Sequence, residues 1–382
     1  GQNIDITNTA GTTFTTTNTA VAFNTAGVDL ANSATTTVDT GTGAGAVTFQ
    51  GAIETNGSDD DVLTITSGTG AVTFSGAIGV TEELGGLNVN ASSGSGVITF
   101  SSTIGDTSGG AGVIGTTAIG NAATSDLNFN AASYSFDGET TITAASGDTI
   151  DMGALAATSF TTAGDNITFA TGNIELLDGS NLTVDTGAAG GNITIGEIAG
   201  HSVETVTLDA GTGTTSVGVI GTGTEIGALS IGSSDNGGIT LNGAITTDGI
   251  VDLDGPITLA TGAITITTSD NAINLEGTVD GGQALTLSSG TAKVTANGAI
   301  GSGTALTSLT VNSAGSGIIE ITDIGTSSAA GVTGATAIGN TSTTTLTLDG
   351  TVYTTTGQQT YTAKSGQNID ITNTAGTTFT TT

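Results

Sequence analysis

The chain has no cysteine and no tryptophan, one proline, one histidine, three tyrosines and two basic residues in 382, both lysines, Lys293 and Lys364. Each shortage closes off some chemistry. Without cysteine there is neither a disulfide staple nor a thiol nucleophile. The lone His201, in Ala199-Gly200-His201-Ser202, cannot build a dyad, a triad or a multi-histidine zinc site, and it reads as a solvated corner. With no arginine to clamp an anion and two lysines to meet phosphate, nucleic acid is excluded as a partner, and anionic membrane surfaces repel the chain. No apolar run approaches the ~20 residues of a membrane span, so no membrane insertion is expected.

What is present is glycine, threonine and acid. There are 63 glycines and 34 Asp plus Glu, for a net charge of −32, while charged residues make up only 9% of the chain. The composition is too apolar and β-branched for a disordered linker, and too glycine-rich for an ordinary helical or α/β domain. Gly and Thr form helices poorly, whereas Thr, Val and Ile suit strands. No run of ten or more residues shows helical apolar spacing. The fold class is therefore all-β. The acidity keeps such a chain soluble and attracts cations.

Residues 366–382, GQNIDITNTAGTTFTTT, repeat residues 1–17 letter for letter, an offset of 365. The chain thus reads as one full tandem period, 1–365, followed by the start of the next copy, 366–382, as in a window from a longer polypeptide. A diverged duplication lies inside the period. At an offset of 219, Ala118-Ile119-Gly120-Asn121 falls on Ala337-Ile338-Gly339-Asn340, and Tyr134 on Tyr353. At an offset of 146, Phe14, Phe23 and Val38-Asp39 fall on Phe160, Phe169 and Val184-Asp185. Long ungapped matches argue that length per unit is constrained, as a solenoid requires.

A short cassette recurs as VTFQGAI (47–53), VTFSGAI (72–78), ITFSSTI (98–104), ITIGEI (193–198), ITLNGAI (239–245), INLEGTV (273–279) and VTANGAI (294–300). A second apolar-polar-apolar triplet precedes most of these, as in Leu63-Thr64-Ile65 and Leu285-Thr286-Leu287. Alternation places Leu, Ile and Val on one face and Thr, Asn and Ser on the other, and Gly-Ser-Thr-Asn-Asp clusters between triplets read as corners. Cassettes are spaced roughly 24 residues apart, and 365/15, 219/9 and 146/6 all come to about 24.3. These spacings predict a parallel β-helix, or β-solenoid, of about 15 coils of about 24 residues per 365-residue period. One coil cannot bury its own apolar face, but stacked coils bury a thin continuous core. The rival architecture is a string of β-sandwiches. Very short strands and the absence of Trp and of Pro-bearing linkers weigh against it.

The VTFSGAIG-type cassettes, ALTSLTVNSAGSG (305–317) and DGGQALTLSSGTAKVTANGAIGSGTAL (280–306) resemble the Gly/Thr/Asn-rich solenoid stretches of large bacterial exoproteins, the filamentous-haemagglutinin-like and giant autotransporter adhesins. The resemblance implies an all-β, right-handed parallel β-helix forming a stalk at or beyond the cell surface, and brings no functional residue with it.

Candidate sites are few. Paired carboxylates, as in glycoside hydrolysis, are offered only by Asp59-Asp60-Asp61, Glu82-Glu83 and Asp252 with Asp254. Basic residues and aromatic sugar platforms are scarce around them, so they read as solvated loop charge and no enzyme is expected. The metal expectation is calcium at Asp59, Asp60 and Asp61, where Asn-Gly-Ser-Asp-Asp-Asp supplies hard oxygens on a loop. The Gly-Gly-x-Gly-x-Asp repeat of calcium-bound β-rolls is absent. Threonine runs at 15–17, 35–37 and 343–345 are too irregular for an ice-binding array. The function expected is a structural or adhesive extracellular filament or surface stalk. Its partners would be further copies of the same repeat, laterally associated chains in fibres, or a cell-surface or polysaccharide ligand. A tandem β-sandwich adhesin and, last, a polysaccharide-active β-helix enzyme are the alternatives.

Overall fold

A computed structural model of the chain describes residues 3–30, 33–57, 60–106, 110–153, 157–201, 203–232, 237–312 and 314–382. All regular structure among them is β-strand, in short pieces such as Val47–Phe49 and Ile257–Leu259. The strands stack in parallel as a β-solenoid of about 15 turns, about 24 residues apart. Parallel pairing removes the sandwich alternative, whose sheets are antiparallel. The chain divides into two compact units, Gly1–Ile198 and Ala199–Thr382.

In the first unit each turn contributes to three faces. Face one runs through Thr12–Thr15, Thr35–Asp39, Val62–Thr66, Gly86–Val89, Thr117–Ile119, Thr140–Ile142, Ile167–Phe169 and residues 193–195. Face two runs through Val21–Phe23, Val47–Phe49, Val72–Phe74, Ile98–Phe100, Leu127–Phe129, Thr149–Met152 and Asn173–Leu176. Face three joins Ile4–Asp5, Val28–Leu30, Ile53–Thr55, single bridges at Ile78 and Ile104, then Ser133–Ser135, Ala157–Thr161 and Asn181–Asp185. The cassettes at 47–53, 72–78 and 98–104 are thus a face-two strand, a tight corner and the first residue of face three, whereas that at 193–198 begins on face one.

The corner explains the cassette's glycine. A Cβ on Gly76 would lie 2.1 Å from the carbonyl oxygen of Gly51 in the coil before it. In the second unit a Cβ on Gly298 would lie 2.2 Å from that of Gly277. Backbones pass too closely there for any side chain.

Inside the first unit, the last residues of the first five face-two strands build a ladder of Phe23, Phe49, Phe74, Phe100 and Phe129, which Met152 and Leu176 continue. Successive centroids are 4.7, 5.5, 4.8 and 5.3 Å apart, with planes within 10° of parallel. The spacing follows from the strand separation of about 4.8 Å. Each ring buries about 150–250 Å² and each contact adds about 0.5–1.5 kcal/mol. The second unit builds aliphatic columns instead, such as Val251, Ile273, Val294, Ile319 and Leu346, with Tyr353 a fully buried ring among its side chains.

The two offsets behave differently. The 219-residue duplication is a duplication of buried detail. In the first unit the amide of Ser67 donates to Asn90 Oδ1 (2.9 Å), and Asn90 Nδ2 donates back to Ser67 Oγ (3.0 Å). In the second, Ser289 and Asn312 make the same pair of bonds at 2.8 and 2.9 Å, at an offset of 222 because the stretch from Asn90 to Asn121 is three residues longer than that from Asn312 to Asn340. Tyr134 and Tyr353, both fully buried, each accept a backbone amide from three residues upstream and donate to a carbonyl of the preceding coil.

The 146-residue match, by contrast, is not the six turns that division suggests. Phe14 is on face one and Phe160 on face three; Phe23 is on face two and Phe169 on face one. Five steps along face one lead from Thr12–Thr15 to Thr140–Ile142, and two faces further on lies Ala157–Thr161. The match therefore spans five turns and two-thirds. Coil length is also looser than ungapped matches imply. Partners are eighteen residues apart from Ile239 to Ile257 and thirty from Leu87 to Thr117. Corners absorb insertions while strands keep register.

Candidate functional site

The acidic loop comes first. Asp59 lies outside the described residues. Asp60 and Asp61 meet at one corner, and both turn toward the coil before it. Asp60 Oδ1 accepts the Ser33 amide at 3.0 Å and its Oδ2 accepts the Ser33 hydroxyl at 2.6 Å. Asp61 Oδ1 accepts the Ala34 amide at 3.1 Å. Asp61 is fully buried, and its Oδ2 has no hydrogen-bond partner. Burial pushes its carboxyl above the ordinary value of 3.8, and the Asp60 charge adds to the rise. Calcium takes about six to eight oxygens, whereas these two side chains leave one buried oxygen unengaged. Their geometry is that of two carboxylates capping a neighbouring corner. Among the described residues no group of three or more His, Asp or Glu side chains is placed to hold a metal ion.

The other acidic pairs are dispersed. In the 82–83 loop the amides of Thr81 and Glu82 both donate to Glu54 Oε2 at 3.1 Å. Asp252 is an outward rung of the second unit, between Ser230 and Asn274. Burial raises its carboxyl first, and the Glu276 and Asp254 charges raise it further. His201 is exposed, and its amide donates to Glu204 Oε2 at 2.6 Å.

Two features escape the sequence. The first is Glu204, fully buried at a corner, which also accepts the Val203 amide at 3.3 Å. Like Asp61 it sits immediately before a strand, which is the one signal that marks both. The second is a column of acids. Asp5, Asp29 and Glu54 stand in register on successive coils of face three. Asn3 Nδ2 donates to both oxygens of Asp29 at 2.8 and 3.0 Å, which offsets the like-charge repulsion.

Threonines form single files rather than flat arrays. On face one the outward positions are Thr13, Thr37, Thr64, Asn88, Ala118, Thr141, Thr168 and Thr194. The runs themselves are split between surface and core: Thr36 is buried beside outward Thr37, and buried Thr343 accepts the Asn340 amide at 2.9 Å. A shallow recess of about 390 Å³ crosses successive corners at Gly41, Gly68 and Gly94. The acid lining it, Asp39, is engaged by the Gly41 amide at 2.8 Å.

No protein-family model matches the chain, and no curated protein or solved structure is significantly similar to it.

Proposed function

We propose that this chain is a structural repeat of an extracellular filament or surface stalk, with attachment to a cell surface or polysaccharide through its lateral faces. The observation that carries this reading is the exterior. Coil after coil presents one small residue at the same place, polar at every step but Ala118 in the file from Thr13 to Thr194. Acids beside these files, such as Asp39 and Glu54, are engaged by neighbouring backbone amides. A surface of that kind suits reach and repetition better than a converging site. The exact 17-residue repeat at 1–17 and 366–382 favours further copies of the same repeat as the first partner. The net charge of −32 favours a solvated, cation-attended surface.

Immunogold electron microscopy on intact, unpermeabilised cells of the source organism tests the reading. Antibody to the chain should decorate thin structures projecting from the surface, and cells lacking the gene should lose them along with attachment. Label confined to permeabilised cells would overturn the extracellular role. Projections that persist in the deletion strain would overturn the structural one.

A further inference from the structure

Residues 1–17 and 366–382 share one sequence but have different neighbours. In the first unit the copy is covered on its downstream side. Ile4 and Asp5 pair with Val28 and Asp29, and Thr12 through Thr15 pair with Thr36 through Asp39. The amides of Ile4, Ile6 and Thr16 donate to the carbonyls of Gly27, Asp29 and Asp39 at 2.8, 2.9 and 2.9 Å. Phe14 stands edge-on to Phe23 with centroids 5.3 Å apart.

In the second unit the identical segment is held from the other side. Ile369 and Ile371 pair with Leu346 and Leu348, and Phe379 pairs with Tyr353. The amides of Thr372, Thr378 and Thr382 donate upstream to Leu348, Thr351 and Thr355. Alternate amides of a strand point to opposite sides. Those of Ile369, Ile371 and Thr381, the counterparts of Ile4, Ile6 and Thr16, therefore face the downstream edge. Exposure follows the cover: Ile6 is 7% exposed and its counterpart Ile371 is 53% exposed. Phe379 is 43% exposed. Beside it lies a recess of about 440 Å³ lined by Gln358, Gln359, Tyr361, Phe379, Thr380 and Thr381.

We propose that the downstream edge at 366–382 is a docking surface for one occupant, the segment 18–39 of a second copy of this repeat. The register is that of the first unit. The second copy's Val28 and Asp29 lie on Ile369 and Asp370, and its Thr36 through Asp39 lie on residues 377–380. Its Phe23 ring enters the recess between Tyr361 and Phe379, as Phe23 meets Phe14 in the first unit. Asn368, the counterpart of Asn3, receives the incoming Asp29 carboxylate as Asn3 does at 2.8 and 3.0 Å. The acceptor is letter for letter a segment that already accepts this coil. The proposal stands on strand register and does not depend on the extracellular role.

The test extends the full chain past Thr382 with the sequence of residues 18–40. Two controls carry the same residues scrambled, or the extension with Phe23→Ser. Residue-resolved hydrogen exchange is the readout. With the native extension, exchange at the Ile369, Ile371 and Thr381 amides should slow roughly tenfold or more. Thr372, Thr378 and Thr382, already bonded upstream, should change little and report that the last coil is folded. The Phe23→Ser extension should lose most of the protection. Equal exchange with native and scrambled extensions, whether both protect or neither does, would overturn the proposal.

Discussion

Thr117 and Thr336 are equivalent residues of the 219-residue duplication, and both bury a hydroxyl that finds no hydrogen-bond partner. An unsatisfied buried hydroxyl costs about 1–3 kcal/mol, and a methyl group in its place costs nothing of that kind. Thr117→Val should therefore stabilise the chain by about 1 kcal/mol, read as an upward shift in Tm by calorimetry. A fall in Tm would mean that the hydroxyl has a partner. Asp61 makes a different prediction. Burial raises its carboxyl above 3.8, so the folded state holds the proton more tightly than the unfolded state does. The stability from that proton is fully present below the unfolded value and is lost as pH rises through the raised folded value. Asp61→Asn has no such loss. It should be more stable than wild type at neutral pH, with the gap closing below 3.8, as measured by urea melts at the two pH values.

At the level of strands and corners, the Asn90 corner shows how a coil is locked. Asn90 adopts a left-handed backbone at φ 51°, accepts the Ser67 amide, and passes its own carbonyl to Asn121 Nδ2. Asn312, at φ 46°, repeats the arrangement with Ser289 and Asn340. Asn90→Ala strands the buried Ser67 amide and forces a Cβ-bearing residue without a side-chain bond into the left-handed region. A loss of about 2–4 kcal/mol is expected in denaturant melts. Asn90→Gly relieves the backbone and should lose less. Much of this level was legible in the sequence. Alternation marked the strands, glycine the corners, and the 219-residue match picked out Asn121 and Tyr134. The cross-coil columns were not legible, because the residues that touch are eighteen to thirty positions apart and a variable corner hides the register. Asp61 and Glu204 were read as solvated charge or not noticed, because a buried carboxylate that caps a backbone amide looks no different in sequence from one in water.

For the molecule as a whole, charge dominates. A net −32 strains the folded state by self-repulsion, and the one ion pair seen among the described residues, Lys293 to Glu320 at 2.7 Å, is solvent-exposed and worth at most about 1 kcal/mol. Tm should therefore rise with sodium chloride from low ionic strength to about 0.5 M, as the Debye length falls well below 10 Å. Tetramethylammonium chloride should do nearly as well, since screening needs no specific cation. A flat or falling Tm would show that the acids are already neutralised in pairs. The two-thirds of a turn in the 146-residue match has its own consequence. The same stretch of sequence serves on face one at Phe14 and on face three at Phe160, so the faces of the first unit are interchangeable hosts. The grain at which such a gene can be copied is then a strand and its corner, not a whole coil. Each unequal copy re-aims everything after it by a fraction of a revolution, so one ancestral surface can be dealt out to several compass bearings with no strand unpaired.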